Sequence, residues 1–291
     1  MEIKASMVKE LRDKTGAGMM DAKKALVEAE GDMEKAIEVL RQKGMASADK
    51  KMGRIAAEGT IASVIDGKKG AMIEMNCETD FVAKNEDFKE LATMMAKAVL
   101  ELNPATPEAM LDMTCPVCNK PIGDVIKEKI AKIGEKITIR RFVRYDANCC
   151  VNSYIHNGKI GVLLEAKCTT CDNDLTKDIC LHIASNAPEF ISRAEIPASV
   201  IEEEKRIEMG KEDLAKKPEN IREKIVEGRV NKLMAAKCLL EQPFVKNPDL
   251  TIAQLIEGKC EIVRFERFVL GEGLEKRQDN FAEEVMSQIK G

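Results

Sequence analysis

Apolar positions near the start of the chain recur at intervals of three and four. They are Val8 and Leu11, then Ala22, Ala25, Leu26 and Ala29, then Ala36, Ile37 and Leu40. That spacing stacks side chains on one face of a helix. Gly16, Gly31 and Gly44 follow the three runs in turn, and a glycine just past the last periodic residue is a helix stop. The pattern predicts a bundle of three short helices ending near Gly44. Residues 45–56, MASADKKMGRIA, are charged and lose the period, so they read as a linker or an extended helix end.

The middle of the chain contains an internal repeat. Residues 64–80, VIDGKKGAMIEMNCETD, align without gaps on residues 155–171, IHNGKIGVLLEAKCTTC, with six identities in seventeen positions. Gly67, Lys68, Gly70, Glu74, Cys77 and Thr79 match Gly158, Lys159, Gly161, Glu165, Cys168 and Thr170. Each copy has an apolar strand, a turn at Asp66-Gly67 or Asn157-Gly158, a second apolar strand and then a helix. GEKITIRRFV from Gly134 and GKCEIVRFERFV from Gly258 share Arg140 with Arg264, and read as a third strand for each copy. The expected fold class is therefore α+β and multidomain, with helices covering antiparallel sheets.

Between the second copy's helix and its third strand, Pro197 and Pro218 stand at two helix starts, and Ile221, Ile225, Val226, Val230, Leu233 and Met234 form a stripe on the second helix. This insertion reads as a helical hairpin. A last helix follows Gly271 and Gly273, with Asn280 and Glu283 as a capping box and Phe281, Val285 and Ile289 on one face. The expected divisions are 1–53, a helical bundle; 54–146, the first repeat; 147–190 with 238–270, the second repeat; 191–237, the inserted hairpin; and 271–291, a C-terminal helical module.

Composition narrows the function. The 291 residues carry 46 basic and 50 acidic side chains without a long run of either sign, no Trp, two Tyr and eight Phe. Nucleic-acid binding, which needs basic patches and stacking surfaces, is not expected. No membrane span and no apolar leader segment is read, which makes the cytoplasm the expected compartment. Ten Cys without such a leader imply reduced thiols.

Catalytic constellations are missing from the pattern: there is no GxxxxGK[ST] loop, no HExxH, and His156 and His182 are the two histidines. GAGMMD at Gly16 follows a helix and has Asp21 where a dinucleotide loop needs Gly, so it reads as a helix-to-helix turn. Direct nucleotide binding, a cofactor and enzymatic chemistry are not expected.

The segment NCETDFVAKN, residues 76–85, puts Phe81 at the junction of an apolar strand and an amphipathic helix. Two readings are open. Asp80 caps the helix and Phe81 is a staple on Phe88 or Leu91, or Phe81 is a contact residue added to one copy of a duplicated scaffold. In the second copy Cys171 and Asp172 replace Asp80 and Phe81, so the fold element itself does not require Asp-Phe. Cys115-Pro-Val-Cys118 and Cys168-Thr-Thr-Cys171 have the spacing of zinc knuckles; the alternative is unrelated loop or strand-end cysteines, and no metal ligand is assigned.

LRDKTGAGMMDAKKAL, Leu11 to Leu26, and EMNCETDFVAKN, Glu74 to Asn85, resemble the signatures of the elongation factor Ts family. SYIHNGKIGVL, KIGEKITIRR, EGRVNK, QPFV and RFERFVLGEGLEK extend the resemblance over most of the chain; the Cys-bearing loops depart from it. The resemblance implies a ubiquitin-associated-like N-terminal bundle, a core of two related α+β subdomains, an inserted coiled coil and a C-terminal helical module. It implies elongation factor Tu, GDP-bound or nucleotide-free, as partner, and promotion of guanine-nucleotide exchange. It further implies that Thr79, Asp80, Phe81 and Val82 push into the partner's GTP-binding domain and help dislodge its Mg²⁺. Met19, Met20 and Lys23, then Ile133, Gly134 and His156, match other partner-facing positions. The competing readings are a zinc-stabilised adaptor that binds protein or RNA without exchange activity, and a thiol-disulfide enzyme, which needs an exposed cysteine of low pKa.

Overall fold

The computed structural model describes residues 3–168, 172–214 and 217–275. It divides into two compact units. One is drawn from Met1–Ala62, Met72–Phe142 and Val269–Gly291, the other from Ser63–Ala71 and Val143–Phe268. The expected helix with Phe281, Val285 and Ile289 lies outside the described residues, as do Thr170 and Cys171.

The first unit begins with α1 (Ala5–Thr15), α2 (Met19–Glu28) and α3 (Met33–Lys51). Val8, Leu11, Ala22, Ala25, Leu26, Ala29 and Ala36 form their shared core with Leu40 packed against it, as the period predicts, whereas Ile37, expected on the same face, is exposed. Gly16 ends α1 in the left-handed region at φ 68°, its N–H bonded to the Arg12 carbonyl at 2.7 Å. Gly44 does not end α3, contrary to the expectation from the sequence. The helix runs through it to Lys51, and residues 45–51 are helix rather than linker. A Cβ on Gly44 would lie 2.8 Å from the Ala131 Cβ, so this glycine serves a close helix crossing and not a stop.

The sheet that follows has the order β1-β2-β3, from Glu58–Asp66, Lys69–Cys77 and Thr138–Asp146. After Lys69 every residue of β2 is buried, which is how a strand in the middle of a covered sheet reads. Then come α4 (Asp80–Lys84), α5 (Glu86–Leu102), α6 (Pro107–Leu111) and α7 (Ile122–Ile133). α5 buries Phe88, Leu91, Ala92, Met95 and Val99, and removing each of the larger ones from water stabilises the fold by about 1.5–3 kcal/mol.

In the second unit β4 (Cys150–His156) pairs antiparallel with β5 (Ile160–Cys168), in register from Cys150 opposite Ala166 to His156 opposite Ile160. The order β4-β5-β8, with β8 at Cys260–Val269, matches that of the first sheet. α8 (Asn173–Asn186) packs on β4 and β5, and Val162, Leu164, Ile179, Cys180 and Ile183 join Phe244 and Ile252 in one core. α9 (Ala198–Met209) and α10 (Glu219–Lys237) start after Pro197 and Pro218 and pack as a hairpin. Val226, Val230 and Met234 are buried there with Ile196, Leu214 and Cys238, while Ile221, counted in the same stripe, is exposed. β6 (Pro243–Phe244), β7 (Asn247–Thr251) and α11 (Ile252–Ile256) complete the unit.

The repeat is visible in polar chemistry as well as in strand order. Arg140 Nη1 donates to Glu74 Oε1 at 2.8 Å, and Arg264 Nε donates to Glu165 Oε2 at 2.7 Å. These are the residues that the two sequence alignments pair. The sites differ in depth: the Glu74 side chain is fully buried, and it also accepts from Arg141 Nε at 2.7 Å and the Gly271 N–H at 2.9 Å. Burial alone would raise its pKa, but the Gly271 N–H and the two guanidinium groups outweigh burial and hold it below the ordinary 4.5.

Candidate functional site

Thr79, directly after β2, is the N-cap of α4: its backbone is extended and its Oγ1 accepts from the Val82 N–H at 3.4 Å. The cap is therefore Thr79, and not Asp80 as the sequence suggested. Asp80 instead accepts from Lys84 Nζ at 2.6 Å across one turn, and that hydrogen bond lowers its pKa. A second cap follows at once, where Asn85 Oδ1 accepts from the Asp87 N–H at 2.8 Å and starts α5. Two successive caps isolate Asp80–Lys84 as a single helical turn. Phe81 stands on it with 80% of its surface exposed, so it is no staple on Phe88 or Leu91. Val82 is half-buried.

The base of this turn is locked from elsewhere in the first unit. Glu135 Oε2 accepts the backbone N–H groups of Glu78 and Thr79, each at 3.0 Å, and Glu135 Oε1 accepts from Thr79 Oγ1 at 2.6 Å. The clamp is reciprocal, because Glu78 Oε1 accepts the Lys136 N–H at 2.7 Å and Arg54 Nη1 at 3.2 Å. Sequence reasoning missed Glu135 and Glu78. The available signal was the position of Glu135 beside Gly134, the left-handed cap of α7 at φ 90°.

The same side of the unit gathers other expected residues. Gly16 lies against the Lys132 side chain, and Lys132 Nζ donates to Asp87 Oδ2 at 2.6 Å. Ile133 and Gly134 follow Lys132 directly, and Glu135 reaches Thr79. Contacts thus connect the Gly16 turn, the end of α7 and the Thr79–Val82 turn. Beyond that glycine turn, Met19 and Met20 open α2 with 59% and 64% exposure, and Lys23 is exposed one turn on. His156 belongs to the second unit, exposed at the end of β4, with Tyr154 Oη 3.1 Å from its Nδ1.

Among the described cysteines, every thiol with a shifted pKa is shifted upward. Burial, then the charge of Glu135, pushes Cys77 to about 12, and burial raises Cys118, Cys180, Cys238 and Cys260. A thiolate nucleophile needs the opposite shift. Cys115 and Cys118 lie in the first unit and hydrogen-bond each other, while Cys168 lies in the second beside Cys149 and Cys150. Among the described residues, no helix is long and apolar enough to cross a membrane.

The chain is thus an α+β protein with Phe81 exposed on a capped turn fixed by Glu135, and with Met19 and Met20 exposed at the start of α2. Residues 78–272 match the family model described as Elongation factor TS. The chain is 47% identical over 295 residues to the elongation factor Ts of Alkalilimnicola ehrlichii, and 45% identical over 303 residues to that of Syntrophotalea carbinolica, each alignment covering the whole of both proteins. The chain belongs to the elongation factor Ts family.

Proposed function

We propose that this protein is a guanine-nucleotide exchange factor of translation elongation, which binds elongation factor Tu in its GDP-bound and nucleotide-free forms and promotes GDP release. The observation that carries the reading is Phe81, exposed on a turn held by two caps and by Glu135. An exposed aromatic on a fixed base loses little conformational entropy on docking, so most of its burial energy goes to the complex.

GDP in such a GTPase is held by a phosphate loop and by Mg²⁺ bridging protein and phosphate oxygens. Thr79, Asp80, Phe81 and Val82 insert at the partner's GTP-binding domain and favour a state with poor Mg²⁺ coordination. Met19, Met20 and Lys23 extend the contact, with Ile133, Gly134 and His156 as further partner-facing positions. Linkage makes the effect mutual: a contact that lowers nucleotide affinity is itself weakened equally by nucleotide. No covalent bond is made or broken, so the protein accelerates exchange without being an enzyme, and it acts in the cytoplasm.

The test is release of fluorescent GDP from purified elongation factor Tu. Release accelerates when this protein is added, and the nucleotide-free complex dissolves on addition of GDP or GTP. Unchanged release at saturating protein contradicts the proposal.

A further inference from the structure

The second unit carries a group of thiols that the exchange reading does not use. In the sheet order β4-β5-β8, β4 begins at Cys150, β5 ends at Cys168 and β8 begins at Cys260, with Cys149 just before β4. Antiparallel pairing of β4 with β5 brings the start of one strand and the end of the other to the same edge. The sulfurs of Cys149, Cys150 and Cys168 all lie within 4.8 Å of one another. The Cys149 Sγ accepts the backbone N–H of Cys168 at 3.2 Å, and the thiols of Cys168 and Cys260 hydrogen-bond each other. Cys149, Cys168 and Cys260 are half-buried against the apolar core, and Cys150 is part of that core.

We propose that in the reduced protein these four sulfurs bind one Zn²⁺. Four thiolates around zinc at about 2.3 Å stand about 3.8 Å apart; Cys149, Cys150 and Cys168 already lie within 4.8 Å of one another, and Cys260 joins the set through its hydrogen bond with Cys168. Cysteines at adjoining strand ends supply the rigid framework that a closed structural site needs, and a backbone N–H on a ligand sulfur is the outer hydrogen bond that orients it. Soft sulfur donors in a tetrahedral set select zinc over the hard cations. Cys150 is disulfide-bonded in this structure, so loading begins with reduction. A water-soluble phosphine takes up oxygen from water and becomes the phosphine oxide, while the disulfide gains two electrons and two protons to give two thiols. Zn²⁺ then displaces the thiol protons.

The site ties the far strand β8 to the β4–β5 hairpin, which makes it a staple of the sheet rather than a reactive centre. It draws nothing from Cys115 and Cys118.

The experiment uses the full chain, purified with phosphine and without chelator, and measures metal by elemental analysis. About one zinc per chain is expected. Cys149→Ser and Cys168→Ser each reduce it at least about tenfold, whereas Cys115→Ser and Cys118→Ser leave it unchanged. Zinc below about a tenth of an equivalent, or zinc that follows Cys115 and Cys118, overturns the proposal. Because a serine variant can fail to fold, the wild-type chain is also titrated with Co²⁺. The intense visible absorption of tetrahedral cobalt thiolate, abolished by one equivalent of Zn²⁺, supports the site, and its absence overturns it. GDP release measured on the same samples reports the exchange reading independently.

Discussion

Thr79 Oγ1 donates to Glu135 Oε1 at 2.6 Å while the other Glu135 oxygen accepts the Thr79 N–H at 3.0 Å. One carboxylate thus fixes both the backbone and the cap of the turn that carries Phe81. Glu135→Ala is expected to cost about 1–3 kcal/mol of stability, because the N–H groups lose a charged acceptor. It also slows stimulated GDP release by loosening the turn. In a double-mutant cycle the kinetic effect shrinks when Phe81 is already Ala; full additivity would show that Glu135 acts elsewhere.

Phe81→Ala separates contact from core. With 80% of its surface exposed, its removal shifts folding stability by no more than about 0.5 kcal/mol. Stimulated GDP release falls at least about tenfold, since aromatic anchors contribute roughly 2 kcal/mol or more to an interface. Thermal unfolding and nucleotide release on one preparation read both quantities, and wild-type stimulation by the variant refutes the contact role.

Gly44→Ala is a test of the α3–α7 crossing. In an exposed helix this change gains about 1 kcal/mol of propensity. Here the new methyl meets Ala131 at 2.8 Å, so overpacking reverses the sign to a loss of about 1–3 kcal/mol. Ala131→Gly in the same chain recovers part of the loss, which chemical denaturation measures.

The repeated ion pairs predict unequal costs. Glu74 is fully buried among Arg140, Arg141 and the Gly271 N–H, and Glu74→Ala removes the charged acceptor that all three share, a loss of about 2–3 kcal/mol. Arg264, the partner of Glu165, is half exposed, and Glu165→Ala costs about 1 kcal/mol or less. Equal losses would contradict the burial argument.

Stability also depends on His182. It is buried, its Nδ1 accepts the Val245 N–H at 3.2 Å and its Nε2 lies 2.8 Å from Gln242 Oε1, an arrangement that suits the neutral ring. Burial lowers its pKa from the ordinary 6.5, and the Gln242 bond only partly offsets that. The unfolded chain therefore binds the proton more readily, so the contribution is complete above pH 6.5 and is lost as pH falls through the lower folded value. The Tm of the wild type drops across that interval, and His182→Gln flattens that part of the profile.

Much of this protein was legible in its sequence because the deciding interactions are local or periodic. Helical spacing marked the core of α1 to α3, and the aligned repeat gave both hairpins and paired Glu74 with Glu165 and Arg140 with Arg264. Prolines marked the starts of α9 and α10, and the Asp-Phe at residues 80–81 singled out the exposed turn. Tertiary structure decided what depends on residues far apart in the chain. Gly44 looks like a stop until Ala131 occupies the space its side chain would need. Asp80 looks like a cap until Thr79, held from 56 residues away by Glu135, takes that role. The cysteines at residues 149, 150, 168 and 260 show no common spacing, and strand pairing alone collects them at one edge. A backbone turn or an amphipathic period is encoded within a few residues. A carboxylate clamp, a helix crossing and a thiol cluster are encoded only in the path of the whole chain.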